Sequence, residues 1–295
     1  MFLDTLFSPI SESLSPVLAA LKAGEALLPL ALRRAARLPV SAAIYQAMQR
    51  PILLITDRTD HALTLMDELS LWLPGGPRAT SQSEVDLRFF PEPNPLFYEN
   101  APWGETTRRD RLAVLTALAA YHIPGAAPAG SVHPLVVAPL RAILSRGMPR
   151  RDFIKAIKTL KVGLTAQPDE LARAWVGLGY EAVNIVTASG QFARRGGILD
   201  LWPPAEARPV RIEFFGDEVD TLRRFDPATQ RTVAALEKVL VTPAREYLVK
   251  AGDIEMLQKA LGEDANPRRV PYPAAASRTG LGARLPAAPR TDPAG

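Results

Sequence analysis

Three histidines, His61, His122 and His133, stand far apart in a chain of 295 residues, none in an H-x-x-x-H or H-E-x-x-H spacing. They give no pattern for a histidine-built metal centre. The neighbouring carboxylates Asp67/Glu68, Asp217/Glu218 and Glu263/Asp264 read as cap and surface charge, and no Ser, His and Asp stand in a nucleophile-elbow arrangement. With no cysteine, disulfides and thiolate chemistry are both excluded. A phosphate loop of the form G-x-x-x-x-G-K-[ST] occurs nowhere, and the stretch Leu38 to Gln49 ahead of the first strand holds neither Gly nor Lys. Without backbone N–H donors and a lysine, the roughly four charges of ATP's phosphates would go uncompensated. The expectation is a chain without catalytic residues, cofactor or metal.

The residue types that can do something else lie in the segment from Gly190 to Pro204 and its continuation from Pro209 to Asp220. Over Val210 to Phe215, a period of two puts Val210, Ile212 and Phe214 on one side and Arg211, Glu213 and Phe215 on the other. The first side is core. The second sets a Phe beside an Arg, two residue types that anchor protein interfaces. Two arrangements remain open: Phe215 is free for a partner, or the helix expected over Asp169 to Leu178 covers it.

Those residues need a scaffold, and the chain supplies two kinds. Residues 15 to 50 are rich in Ala and Leu, with Pro16, Pro29 and Pro39 predicting two or three short helices separated at the prolines. Ile52 to Ile55 reads as a strand, Ala62 to Leu73 as a helix, Val85 to Phe90 as a strand, Arg111 to Tyr121 as a helix with Leu112, Leu115 and Leu118 on one stripe, and Leu135 to Ala138 as a buried strand ahead of Pro139. Short, continuously apolar strands alternating with helices predict a parallel α/β sheet, in form a degenerate helicase-like domain. After Gly147 the chain turns to strands over Ala182–Thr187, Phe192–Arg194, Gly197–Trp202, Val210–Phe215, Val219–Phe225 and Val233–Val241, joined by turn-rich connectors. That predicts an antiparallel α+β domain. A last short helix is expected over Asp253 to Leu261.

Composition narrows the function class further. The chain is 47% hydrophobic and 22% charged, with a net charge of +4. Apolar runs near the N-terminus are interrupted by Lys22, Glu25, Arg33, Arg34 and Arg37, and no span reaches the roughly 20 apolar residues a membrane helix needs. Met1 to Ser8 lack the features of a secretory signal, so a cytoplasmic protein is expected. The excess positive charge belongs to residues 266–295, where Arg268, Arg269, Arg278, Arg284 and Arg290 face Asp292 alone among Pro, Ala and Gly, a composition that predicts a disordered tail. The rest is neutral in sum. Two further readings follow, a degenerate helicase-like ATPase, which the missing phosphate loop disfavours, and a nucleic-acid binder working through the basic tail.

The runs Phe192 to Pro204 and Arg211 to Asp220, then Phe225-Asp226-Pro227-Ala228-Thr229-Gln230-Arg231, closely resemble the UvrB-like N-terminal module of the bacterial transcription-repair coupling factor family (Mfd). The resemblance runs back through Phe89-Phe90-Pro91, Arg111-Leu112 and Val136-Val137-Ala138-Pro139 and forward to Thr242-Pro243-Ala244-Arg245-Glu246, covering roughly residues 45 to 250. UvrB shares the second domain, but it carries a phosphate loop and a Tyr-rich hairpin, in whose place stands only Phe97-Tyr98-Glu99. The resemblance implies a division into 1–148, a UvrB-like α/β domain without a phosphate loop; 149–243, a UvrA-interaction domain; 244–265, a partial return to the first domain; and 266–295, the tail. It implies a non-catalytic module that recruits UvrA in transcription-coupled nucleotide excision repair, with Arg195, Arg211 and Phe215 at the contact positions. Those two arginines would give charge-assisted bonds to acidic groups of UvrA, and the Phe an apolar anchor. In the family, ATP-driven translocation on DNA and contact with RNA polymerase belong to domains beyond this sequence, whose third UvrB-like piece is expected to stop near Gly262.

Overall fold

The computed structural model describes residues 9–10, 12–25, 29–73, 85–93, 103–123, 133–145 and 147–248. The expected helix over Asp253 to Leu261, the tail and the Phe97 loop lie outside the described residues.

The first half is a parallel sheet clothed by helices. Strands β1 (Ile52–Thr56), β2 (Asp86–Phe89) and β3 (Pro134–Pro139) pair in the order β1-β3-β2, with Leu53 beside Val136 and Phe89 beside Val137. Ahead of them lie α1 (Ser15–Ala23) and α2 (Arg34–Met48), between β1 and β2 lies α3 (Thr59–Trp72), and between β2 and β3 lies α4 (Glu105–His122). One core joins Val40, Ala43 and Tyr45 of α2 and Ala62 and Leu69 of α3 to Leu135 and Val137. A second, on the other face, joins Val136, Ala138 and Phe90 to Val114 of α4. The central β3 is buried at all six positions. The edge strand β1 departs from the continuously buried pattern expected of it, leaving Leu53 47% and Ile55 54% exposed beyond the cover of α4.

Pro39 does not divide a helix, as the proline spacing predicts, but sits inside α2. A missing N–H and the ring's clash with the preceding turn cost about 3 kcal/mol. Pro39 is buried with Val40, Ala42, Ala43 and Tyr45, and the packing of that face offsets the cost.

After Pro139 come α5 (Leu140–Leu144), α6 (Arg150–Ala156), β4 (Lys158–Lys161) and α7 (Pro168–Gly177). A six-stranded sheet follows in the order β10-β9-β8-β7-β6-β5, formed by β5 (Glu181–Ala182), β6 (Gln191–Arg195), β7 (Ile198–Leu201), β8 (Val210–Phe215), β9 (Glu218–Phe225) and β10 (Thr232–Leu236). All its pairs are antiparallel except β5 with β6. β11 (Lys238–Val241) pairs with β4 in a separate ribbon. Trp175 of α7 and Tyr180, Phe192, Leu199, Ile212, Leu222 and Val239 form the core between helix, sheet and ribbon.

Two expected strands differ from what the sequence pattern predicts. The run over Ala182–Thr187 pairs only at its start, because Gln191 Oε1 accepts from the backbone N–H of Thr187 and Ala188, each at 3.0 Å, and turns the chain so that Val186 is buried against Ala193 and Phe225. The run over Val233–Val241 divides at Glu237, whose carbonyl accepts from Val162 N–H at 3.1 Å, and carries the chain from β9 to β4.

Candidate partner-docking face

The six-stranded sheet has one face closed by α7 and one that is covered over Ala193 and Phe225 by the Val186 segment and open at the end bearing Arg195 and Phe215. Strand parity sorts its side chains. Phe192, Leu199, Leu201, Val210, Ile212 and Leu222 point into the core beneath α7, and Phe214 packs against them. Ala193, Asp200, Arg211 and Phe225 alternate with these and so lie on the opposite face, with Arg195, Glu213 and Phe215 in the same parity. The three residues expected at the contact positions therefore share one face. α7 covers the other face, and Phe215 is 83% exposed, which closes the question the sequence pattern leaves open.

Two tight turns hold the ends of this face. β6 and β7 are joined by Gly196-Gly197 and β8 and β9 by Gly216-Asp217, and in each the first central residue is a glycine with φ of +59° or +61°. A positive φ at that position alone suits the two-residue hairpin turn that follows strand twist, and an L side chain there is strained. Arg195 and Phe215 each precede such a glycine, so both stand at the same end of the sheet. Between them in register lie Ile198, paired with Arg195, and Glu213, paired with Ile198.

Each of the three residues has a different footing. Arg195 is exposed and donates only to the carbonyl of Asn184, at 3.2 Å. Its neighbour Arg194, on the helix side, is paired with Asp169 of α7. Arg211 is held far more tightly. Its Nε and Nη2 donate to the two carboxylate oxygens of Asp200 at 2.7 and 2.8 Å, its guanidinium lies 4.6 Å over the Phe225 ring, and Nη2 reaches Gln230 Oε1 at 3.3 Å. The hydrogen bonds that Arg211 donates to Asp200 raise its pKa above the ordinary value and outweigh the desolvation that lowers it. Phe215 has no such attachment and offers an apolar ring from the end of a paired strand.

Sequence reasoning missed what Arg211 rests on. Asp200 is 2% exposed, a carboxylate inside the apolar run Ile198 to Trp202. An inward acid in a strand needs a cation, and that was the available signal. Gln230, with φ of +60°, closes the β9–β10 turn. In that turn Asp226 Oδ1 accepts from the N–H groups of Ala228 and Thr229 at 3.0 and 2.9 Å, which, with Thr229 the larger cause, holds the Asp226 pKa below the usual carboxylate value. No group of His, Cys, Asp or Glu among the described residues is arranged to hold a metal ion, and none of the described helices is long and apolar enough to cross a membrane.

A second polar cluster lies where the two halves meet. Arg111 of α4 is 1% exposed and bonds Glu246 through Nε and Nη2 at 2.6 and 3.0 Å, while its Nη1 donates to the carbonyls of Pro91 and Ala142. Tyr180 Oη donates to the Thr242 carbonyl at 2.8 Å, and burial pushes its phenol pKa up. These partners come from the Arg111-Leu112 and Thr242-to-Glu246 runs that carry the family resemblance.

Residues 159–247 match the UvrB interaction domain. The chain is 31% identical over 229 residues to the transcription-repair-coupling factor of Myxococcus xanthus, a match over 78% of this chain and 18% of the relative. It is 32% identical over 216 residues to that of Bacillus subtilis, covering 73% of this chain and 17% of the relative. UvrABC system protein B of Gloeothece citriformis is 36% identical over 121 residues, 41% of this chain and 18% of that protein. The chain thus spans under a fifth of the length of these curated relatives. With the open sheet and its flanking ribbon inside the matched residues, the chain carries a UvrB interaction domain and is similar to the N-terminal UvrB-like module of transcription-repair coupling factors.

Proposed function

We propose that this chain works in nucleotide excision repair, in its transcription-coupled branch, as a non-catalytic module that docks UvrA through the open face of the six-stranded sheet. The observation that carries the reading is the position of Phe215. A large apolar side chain that is 83% exposed, on a hairpin fixed by a glycine turn and beside organised charge, is the composition of an interface anchor. In this reading Phe215 enters an apolar pocket of UvrA, Arg195 meets a carboxylate there, and Arg211, held by Asp200 and Gln230, offers the one N–H of Nη1 that these leave. On the same reading, residues 149–243 form the interaction unit and 244–265 a partial return to the first domain, a division supported by the bond between Glu246 and Arg111.

Calorimetric titration of the chain with UvrA tests this. Phe215→Ala is expected to weaken binding by about 10- to 100-fold, or roughly 1–3 kcal/mol, with an unchanged thermal midpoint because the ring contributes little to the core. UvrB should compete with the chain for UvrA, since the two share the interaction domain. Unchanged affinity in a folded Phe215→Ala chain removes Phe215 from the site. Absence of binding by the folded parent chain overturns the proposal.

A further inference from the structure

Arg150, Arg151 and Lys155 of α6 and Lys158 and Lys161 of β4 fall within twelve residues that hold one acid, Asp152. All five are exposed, and none of their side chains makes a hydrogen bond or ion pair with another described residue. The arginines at positions 88, 111, 194, 208, 211, 223 and 224, by contrast, are all in ion pairs within the fold. In the register of the β4–β11 ribbon, Lys161 stands directly opposite Lys238. Leu160 and Val239 hold that ribbon from the buried side.

Five exposed cations clustered in twelve residues, with no acidic partner among the described residues, suit an external polyanion. We propose that α6 and β4 form a strip that binds the phosphate backbone of duplex DNA, separate from the sheet face described above. Its length fits. Seven helical and four extended residues reach at most roughly 24 Å, about seven base pairs at 3.4 Å, so the strip lies along one side of a duplex within a single turn. Its chemistry fits phosphates better than an acidic protein. Thr159 and the buried Leu160 separate the β4 lysines, and the one aromatic residue among the cations, Phe153, is buried, so no exposed ring makes the apolar centre of a protein interface. The segment following β4 runs along the start of β9, where Gly163 N–H donates to the Val219 carbonyl at 2.8 Å, so the strip adjoins the hairpin bearing Phe215.

Fluorescence anisotropy of the full chain with a labelled 20-base-pair duplex, titrated across sodium chloride concentrations, tests the proposal. Each phosphate contact contributes a slope of about −0.9 in log K against log salt. Replacing Arg151, Lys155, Lys158 and Lys161 together by Ala should make the slope shallower by about three to four. The milder Lys158→Gln/Lys161→Gln pair, which keeps the length of the side chains in β4, should make it shallower by about two. Replacing the five tail arginines by Ala should leave the change caused by the strip intact. The proposal is overturned if the parent chain does not bind the duplex at low salt, if the slope is unchanged in folded strip variants, or if the tail variant alone abolishes binding. A strip serving an acidic protein instead would give the second of these outcomes.

Discussion

Arg211 shows how a residue chosen for its exposed chemistry can be tied to the fold. Its partner Asp200 is buried, so Arg211→Ala would leave a carboxylate in the sheet without its cation. Breaking one side of such a pair costs on the order of 3–5 kcal/mol, more than the 1–3 kcal/mol of a typical interface anchor. Arg211→Ala is therefore expected to lower the urea midpoint as well as UvrA affinity, while Asp200→Leu/Arg211→Met recovers most of the stability and none of the affinity. A single Arg211→Ala chain as stable as the parent would show that solvent reaches Asp200 and that the pair contributes little. Phe215 and Arg195 lack this coupling and are the cleaner probes of docking.

At the scale of elements, the hairpins were legible and the irregular joins were not. Val210 to Phe215 is a strand with the expected ends because its alternation and its Gly-Asp turn agree. β4 went unseen because Lys158-Thr159-Leu160-Lys161 buries one residue alone, Leu160, and its pairing with β11 depends on a partner about eighty positions away. The side of the sheet that α7 covers was likewise set by packing, which no period in the sequence reports. The β9–β10 turn is a device that local chemistry does determine. Asp226 accepts two backbone N–H groups and a bond from Arg208 at 2.8 Å, and these interactions favour its ionised form. A carboxyl whose folded pKa is depressed contributes stability above its unfolded value, near 4, and loses it as pH falls through the folded value. The difference in urea stability between parent and Asp226→Asn should thus be constant above about pH 5 and shrink toward pH 2. A difference independent of pH would assign the effect to hydrogen bonding alone.

At the scale of the molecule, the most buried ion pair among the described residues, Arg111–Glu246, lies where the two halves meet. Arg111 gathers the β2–α4 side through Pro91, α5 through Ala142, and the chain leaving β11 through Glu246, with Phe90 4.0 Å beneath the guanidinium. Thr242, which accepts from Tyr180 through its carbonyl and lies 3.4 Å from Thr116 Oγ1, runs beside it. Glu246→Ala would leave the guanidinium buried with carbonyl partners but no counter-charge, a loss of about 3–5 kcal/mol. Because that loss falls on the seam rather than inside either core, it should also change the form of unfolding. The parent chain is expected to unfold in urea in one transition by tryptophan fluorescence and circular dichroism. Glu246→Ala should show two, with Trp175, in the core beneath α7, reporting one of them. Arg111→Met/Glu246→Leu, which removes both charges, should restore much of the midpoint. If Glu246→Ala keeps a single transition at the parent's midpoint, the seam is held by apolar contact, and the shared Arg111 and Glu246 motifs serve something other than the joining of the two halves.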